Sequence, residues 1–382
     1  MDTVLLVKGI IVIAVFAISM LMALYETYFE RVIAAFIQDR VGPDRAGPFG
    51  LLQPLADGGK LFFKEDFIPT MADKWLFILG PALAMLTALM TSAVIPFGDT
   101  IMVGTHKIDL QAMDVNIGIL WVFGIVSLGV YGILIGGWAS NNKYSLYGAI
   151  RAASQNISYE LAMGLTLLAI ILMAGSLSVK SIVVSQHGIN WNIFYQPLGF
   201  LLFFTCSLAE CNRTPFDLPE SENELVAGYH TEYGSMKMGL YLFSEYVNMF
   251  VSSAVLASLY FGGFNYPGMD FIYSFLTKTF SPNVGHNLAT AIGTMVLFLK
   301  IFAFIFTFIW IRWTVPRFRY DQLMDMAWKW MMPMAIINLI ITAVAELSGY
   351  RLLANWIGVA LFALIYFTVW PLFSKKKSYE AI

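Results

Sequence analysis

The feature that most constrains this chain is the recurrence of apolar runs long enough to cross a lipid bilayer. A helix needs about 20 residues to cross roughly 30 Å of hydrocarbon. Runs of this kind recur from one end of the sequence to the other. The candidate windows are 4–28, 76–97, 117–138, 154–176, 197–212, 238–262, 290–312, 329–347 and 352–372. The fifth is short and is expected to continue toward Arg213. The pattern predicts an all-α, polytopic transmembrane helix bundle with about nine transmembrane helices.

Composition supports the same class. Of the 382 residues, 58% are hydrophobic and 13% are charged, and the mean hydropathy is +0.70. A soluble chain of this length needs more charge to cover its surface. We therefore expect residues 1–382 to form a single membrane domain. The formal net charge of −2 favours no nucleic-acid partner. The first apolar run lacks a cationic start and a small-residue cleavage site, so it is interpreted as a span and not a signal peptide.

Cofactor motifs are missing from the sequence. The two cysteines, Cys206 and Cys211, do not form a Cys-x-x-Cys pair, and the four histidines are scattered. This spacing predicts no metal site and no iron–sulfur cluster. No glycine-rich loop joins a strand to a helix, so no nucleotide site is predicted. Any nicotinamide, flavin or cluster chemistry is therefore expected in partner subunits, and no catalytic residue is expected in this chain alone.

Lysine and arginine are distributed unevenly between the two sides of the predicted bundle. With nine spans, seventeen of these residues fall on one side and five on the other, while Lys300 lies inside a span. Cytoplasmic segments carry the excess of positive charge in membrane proteins. The distribution predicts a periplasmic N-terminus and a cytoplasmic C-terminus. The cytoplasmic loops would then be 29–75, 139–153, 212–237 and 312–330.

The first of these loops has two features that point to a site. Glu30 and Arg31 end the first span side by side. After two Gly-Pro turn signals, residues 51–63 form an amphipathic stretch too short to span, which predicts an interfacial helix. Asp57 interrupts its apolar face. The helix is either a simple anchor or the roof of a polar cavity.

The third cytoplasmic loop is acidic. Its acids and the one that follows in the next span are Glu210, Asp217, Glu220, Glu222, Glu224, Glu232 and Glu245. A solvated loop is one interpretation of such a run. Prolines and large apolar residues are interleaved with the acids, which favours packing. Carboxylates held close together in partly dry surroundings lose their protons in coupled steps, as a proton relay requires.

Two ionisable residues lie deep inside predicted spans. Glu160 is about 13 Å along a helix from Arg151, and Lys300 is about 18 Å from Arg312, at 1.5 Å per residue. Charged groups at such depth usually face a bundle interior or water. Glu160 is interpreted as part of a proton route, and Lys300 as structurally paired. Arg312, Arg317 and Arg319 alone would be membrane anchors, but with the acids they would line one cytoplasmic vestibule.

Four stretches carry a resemblance to a known family. They are FERVIAAFIQDRVGPDRAGPFGLLQPLADGGKLFFKED, GAIRAASQNISYELAMG, AECNRTPFDLPESENELVAGYHTEY and WIRWTVPRFRYDQLM. In this order, they are similar to signature stretches of the quinone-site membrane subunit of respiratory complex I, the proton-translocating NADH:quinone oxidoreductase. Cys211 stands where that family has Thr, and the C-terminus adds a ninth helix.

The resemblance implies a quinone-binding channel beneath the peripheral arm and the start of a proton-coupling path. The implied quinone-binding residues are Glu30, Arg31, Arg40, Asp57, Glu210, Arg213, Asp217, Arg312 and Arg317. The implied relay residues are Glu160, Glu220, Glu222, Glu224, Glu232 and Glu245. Ubiquinone or menaquinone would be the substrate, with NADH, FMN and iron–sulfur clusters held by partners. The implied partners are the peripheral-arm quinone-reducing subunits and antiporter-like membrane subunits, in a bacterial inner membrane.

Three other functions stay open at this stage. The first is the homologous subunit of a membrane-bound hydrogenase, a formate hydrogenlyase or an F420H2-type dehydrogenase. The second is a stand-alone transporter, which is disfavoured because the charges crowd one face instead of forming a midplane site. The third is a scaffold for a peripheral arm, which does not explain Glu160 or the acids through Glu245.

Overall fold

The described structure is mostly helical, with almost no sheet. A computed structural model describes residues 2–104, 106–218, 226–350, 352 and 356–360. Within this part, seven helices are long and apolar enough to cross a membrane, and the apolar helix Pro197–Glu210 is shorter. The prediction of an all-α polytopic bundle is confirmed.

The helices run in chain order and are numbered accordingly. The first five are α1 (Asp2–Ile37), α2 (Gln53–Phe63), α3 (Lys74–Ser92), α4 (Gly118–Ala139) and α5 (Lys143–Ala174). The next four are α6 (Val179–Ser185), α7 (Asn192–Tyr195), α8 (Pro197–Glu210) and α9 (Ser235–Tyr260). The last three are α10 (Met269–Thr279), α11 (Pro282–Thr314) and α12, which covers Tyr320–Ser348 with a π-helical turn at Met326–Met331.

The first eight predicted spans each fall on one of these helices, but several ends were wrong. Helix α1 continues nine residues past the predicted end at 28, to Ile37. Helix α8 does not continue toward Arg213, because it ends at Glu210 and is followed by a turn. Hydropathy locates the apolar length of a helix but not its polar ends. The ninth window, 352–372, lies mostly outside the described residues.

One predicted loop differs from the structure, and one hairpin was not predicted. The predicted loop 139–153 is mainly helical, because α5 begins at Lys143 and Asn142 caps it by accepting a hydrogen bond from the Tyr144 backbone N–H. An antiparallel hairpin of β1 (Thr100–Val103) and β2 (His106–Asp109) was not predicted. It is held to α11 through the Asn287 side chain, which bonds both backbone groups of Met102.

Glycines allow α3 and α4 to approach closely. A Cβ added at Gly132 would lie 2.8 Å from the Ala84 backbone nitrogen. Small residues at a crossing of membrane helices permit this backbone approach. Two tyrosine hydroxyls reach the same crossing: Tyr241 donates to Gly132 O at 3.0 Å, and Tyr233 donates to Phe77 O at 3.1 Å. Burial raises the pKa of Tyr233 to about 12, so its hydroxyl stays protonated and remains a donor.

The amphipathic helix α2 is present where residues 51–63 predicted it, and its Leu55, Phe62 and Phe63 are exposed. Its C-terminal end is tied to the start of α9. Ser235 Oγ donates to Leu61 O at 3.1 Å and to Lys64 O at 3.0 Å. A salt bridge of 2.5 Å also joins Lys237 to Asp66.

Lys300 does interact structurally, but with carbonyls instead of an acid. Its Nζ donates to Phe261 O at 2.7 Å, Gly263 O at 2.8 Å and Asn265 O at 2.6 Å. These carbonyls follow the C-terminal end of α9. A cation placed there satisfies backbone acceptors that the hydrocarbon cannot hydrogen-bond.

Candidate functional site: a buried charge cluster

The candidate site lies toward the end of the bundle where α1 and α11 finish and α9 begins, which we call the charged end. The relevant termini are Ile37, Thr314 and Ser235. Because α1 continues to Ile37, Glu30 is a residue within the helix and not at its end. Arg213 follows α8 and Arg312 lies in the last turn of α11, so different elements bring their side chains to one place.

Glu30 is the centre of this cluster. Its side chain is 8% exposed. Its Oε2 atom accepts hydrogen bonds from Tyr246 Oη at 2.9 Å and from Arg213 Nη1 at 3.4 Å. Its Oε1 atom forms a salt bridge with Arg312 Nη1. A buried carboxylate is stable in its ionised form only when it is paired and hydrogen-bonded in this way.

Arg213 links Glu30 to a second acid. Its Nε atom lies 3.5 Å from Glu245 Oε2 on α9. Its guanidinium lies over the ring of Tyr246, 4.0 Å from the ring centre. Glu245 in turn accepts a hydrogen bond of 3.0 Å from Tyr229 Oη. We call Glu30, Arg213, Glu245 and Arg312 the buried cluster.

Among the described residues, the buried cluster holds two acids and two arginines, whose formal charges balance. Removing one member of such a group leaves an uncompensated charge out of water, at a free-energy cost of about 3–5 kcal/mol. For the same reason, a new charge placed beside the cluster changes the proton affinity of its acids. The arrangement can therefore convert an added charge into proton movement.

A second pair lies between two loop segments. Arg317 Nη2 is 2.6 Å from Asp217 Oδ2. The two segments are also joined by Phe318 N, which donates to Pro215 O at 3.2 Å, and by the rings of Phe216 and Phe318. The predicted proximity of the 212–237 and 312–330 loops is therefore observed at this pair.

Arg31 and Asp57 form a third, separate pair. Arg31 Nη1 lies 2.6 Å from Asp57 Oδ2, and the Arg31 side chain is 49% exposed. Successive side chains of a helix point about 100° apart. The Arg31 side chain therefore points away from the buried cluster, although Arg31 directly follows Glu30. Arg40 is exposed, and its Nε donates to Gln38 Oε1 at 2.7 Å. The single vestibule predicted from the sequence is thus divided into a buried cluster and two partly exposed pairs.

Glu210 is buried at the end of α8, beside a small cavity. The cavity volume is about 40 Å³, and Ser207, Ser252 and Thr91 line it together with Glu210. Glu210 Oε2 has no hydrogen-bond partner among the described residues. The rest of the lining is apolar, but the cavity is large enough to hold one water molecule beside the Glu210 carboxylate.

Glu160 lies on α5, outside the buried cluster. It accepts a hydrogen bond from the Ser127 hydroxyl of α4. It also lines an apolar groove of about 600 Å³, whose other walls include Phe123, Leu168 and Met332. A carboxylate bordering such a groove is poorly solvated, so a polar group from a neighbouring helix would stabilise it.

Glu232 is separate from the other acids in the described residues. It accepts a hydrogen bond of 2.6 Å from the Asn142 side chain, which caps α5. Glu220, Glu222 and Glu224 lie outside the described residues, so their relay role stays a prediction. Within the described part of the chain, no three His, Cys, Asp or Glu side chains come together as metal ligands.

Sequence reasoning missed three residues that contribute to the site. Tyr246 contacts both Glu30 and Arg213, and Ser127 contacts Glu160. The third, Glu26, is fully buried on α1 one helical turn before Glu30. Its spacing of four residues from Glu30 on a membrane helix was a usable signal.

Comparisons with known proteins agree with the resemblance noted in the sequence. A family model described as NADH dehydrogenase matches residues 9–343. The chain is 59% identical over 335 residues to the H subunit of NADH-quinone oxidoreductase from Flavobacterium johnsoniae, covering 88% of this chain and 93% of that protein. An H subunit of the same enzyme from Cytophaga hutchinsonii is 60% identical over 338 residues, covering 88% and 96%. One from Geobacter metallireducens is 46% identical over 344 residues, covering 87% and 93%.

Proposed function

The chain belongs to the NADH dehydrogenase family as a membrane subunit of NADH-quinone oxidoreductase, and on this premise we propose that it forms the quinone-binding channel and the first part of the proton-coupling path. The observation that carries the proposal is the pairing of Glu30 with Arg213, Arg312 and Tyr246 in the buried cluster. Four chain segments far apart in sequence converge there, and the charges they bring are balanced.

The quinone head binds at the charged end, within electrostatic range of the buried cluster. Reduction of the head adds negative charge and creates a demand for two protons. The pairs Asp217–Arg317 and Arg31–Asp57 line the approach to this position. The exposed Leu55, Phe62 and Phe63 of α2 offer an apolar surface for the isoprenoid tail.

Proton coupling starts from the same acids. A charge change at the quinone shifts the protonation of Glu245, then of Glu210 beside its small cavity, and then of Glu160. The apolar groove beside Glu160 is filled by a helix of an antiporter-like membrane subunit, which carries a polar group to the carboxylate. On the side of the 212–237 loop, the relay is completed by Glu220, Glu222, Glu224 and Glu232.

The remaining chemistry belongs to partner subunits. NADH, FMN and iron–sulfur clusters are held in the peripheral arm, and its quinone-reducing subunits dock on the charged end. The charged end is cytoplasmic and the N-terminus periplasmic, following the excess of lysine and arginine. The relatives are named as parts of a quinone oxidoreductase, which favours a quinone-linked enzyme over a hydrogenase.

Labelling with a photoreactive quinone analogue tests this proposal in the purified complex. We expect competable label in peptides from residues 28–64 or 310–320 of this chain. Excess unlabelled quinone should remove the label, while an equal amount of an apolar compound without a quinone ring should not. Competable label confined to other subunits would contradict the quinone-binding role.

A further inference from the structure

We propose that Glu26 and Glu30 share one proton and form a two-site switch on α1, with Arg213 as the counter-charge of whichever carboxylate is ionised. The inference deepens the proposed function and rests on it. It starts from an acid that the mechanism above does not use.

Glu26 has an environment unlike that of the other acids in the site. Its exposed fraction is 0%. Neither Oε1 nor Oε2 has a hydrogen-bond partner among the described residues. By contrast, Glu30 accepts hydrogen bonds from Arg213 and Tyr246 and forms an ion pair with Arg312. An ionised carboxylate without a partner is very unfavourable away from water, whereas the neutral acid is tolerated. Glu26 therefore carries a proton while Glu30 is fully paired.

The spacing of the two acids permits exchange. Residues four apart on a helix lie on one face, with Cβ atoms about 5–6 Å apart. Arg213 acts electrostatically on Glu26 as well as on Glu30. If Glu26 were ionised together with Glu30 and Glu245, three acids would face two arginines. With one proton shared between Glu26 and Glu30, the charges of the cluster stay balanced in either position.

The step itself moves one proton and no electrons. Negative charge on a reduced quinone makes the carboxylate of Glu30 unfavourable. The O–H bond of Glu26 breaks, an O–H bond forms at Glu30, and Arg213 turns to the new carboxylate of Glu26. The proton moves one helical turn toward the charged end, where the neutral Glu30 no longer repels the negative charge of the reduced quinone. The negative charge moves one turn inward.

The inward position faces the next part of the path. Glu26 acts electrostatically on Cys211, the residue after Glu210. The Cys211 thiol lies 3.7 Å from Ser252 Oγ, and Ser252 lines the small cavity beside Glu210. A negative charge arriving on Glu26 is therefore placed near Cys211, one residue from Glu210 and away from the exposed surface of the charged end.

Redox-induced infrared difference spectroscopy of the purified complex tests the switch. In the native complex, reduction should produce a band change in the carbonyl region of protonated carboxylic acids. Glu26→Gln, which mimics the neutral acid in shape, should remove this change and lower the quinone reduction rate on the order of tenfold or more. Glu26→Asp should restore both in large part. Thr27→Val, a neighbour whose hydroxyl donates to Leu24 O, is the control and should keep the native spectrum.

The possible outcomes separate this inference from the proposed function. Photoreactive quinone labelling of the Glu26→Gln complex is measured alongside the spectra. If the label is retained while the spectrum and rate equal those of the native complex, the switch is wrong and the quinone site stands. If Glu26→Leu, which cannot carry a proton, supports native rates, the switch is also wrong. If the label falls on other subunits, the proposed function fails and the switch fails with it.

Discussion

At the scale of single residues, neighbours in the sequence belong to different environments. Glu30 and Arg31 are adjacent, yet Glu30 lies in the buried cluster while Arg31 pairs with Asp57 near the surface. The cause is the continuation of α1 to Ile37, which imposes helical geometry on both residues. Burial therefore decides how strongly each charge affects stability.

Replacement of two arginines by methionine measures this difference. Arg31→Met removes a half-exposed ion pair, which is worth about 0–1 kcal/mol. We expect the assembled complex to keep its yield and thermal stability, with at most a higher KM for quinone. Arg213→Met leaves buried carboxylates without a counter-charge, at a cost of about 3–5 kcal/mol. We expect little or no assembled complex. Equal loss of assembly in both variants would contradict the division of the site.

The sequence predicted all four members of the buried cluster but not the residues around them. Glu30, Arg213, Glu245 and Arg312 were all named as site residues, and the cluster unites them. Tyr246 was not named, because a tyrosine in an apolar span usually packs against other apolar side chains. Glu26 was overlooked because it lies within an apolar window whose polar members were not tested for helical spacing.

At the scale of elements, a glycine crossing positions the helix that carries Glu245. A Cβ added at Gly136 of α4 would lie 1.9 Å from Tyr241 Oη and 2.9 Å from Tyr233 Oη. Tyr241 belongs to α9, four residues before Glu245. Backbone carbonyls at the crossing of α3 and α4 therefore accept hydrogen bonds from these tyrosine hydroxyls, which fixes the position of α9. Hydropathy alone could not predict this contact, because it depends on tertiary packing of residues far apart in sequence.

Gly136→Ala should disturb this contact. We expect overpacking to destabilise the subunit by about 1–3 kcal/mol, with a lower Tm and yield of the complex. Gly124→Ala on the same helix is the matched control, because nothing lies within 4 Å of its added Cβ. Tyr241→Phe removes the clashing hydroxyl and should partly rescue Gly136→Ala. A Gly136→Ala complex as stable as the Gly124→Ala complex would contradict the assigned role.

At the scale of the whole molecule, four helices contribute the buried acids of the candidate site. Glu30 and Glu245 meet in the buried cluster, Glu210 borders its small cavity and Glu160 borders its groove, and these acids lie on α1, α9, α8 and α5. Composition predicted the membrane bundle, and the spacing of apolar runs predicted most of its helices. The grouping of the acids could not be predicted, since it depends on how these helices pack.

The proton-to-electron ratio of a Glu245→Gln complex tests the central claim most directly. The substitution removes a charge from the buried cluster while keeping an acceptor for the Tyr229 hydroxyl. Native and variant complexes are reconstituted into vesicles, and proton uptake is measured together with NADH oxidation at matched complex content. We predict that the variant still reduces quinone at a measurable rate but moves fewer protons per electron. An unchanged proton-to-electron ratio would contradict the account.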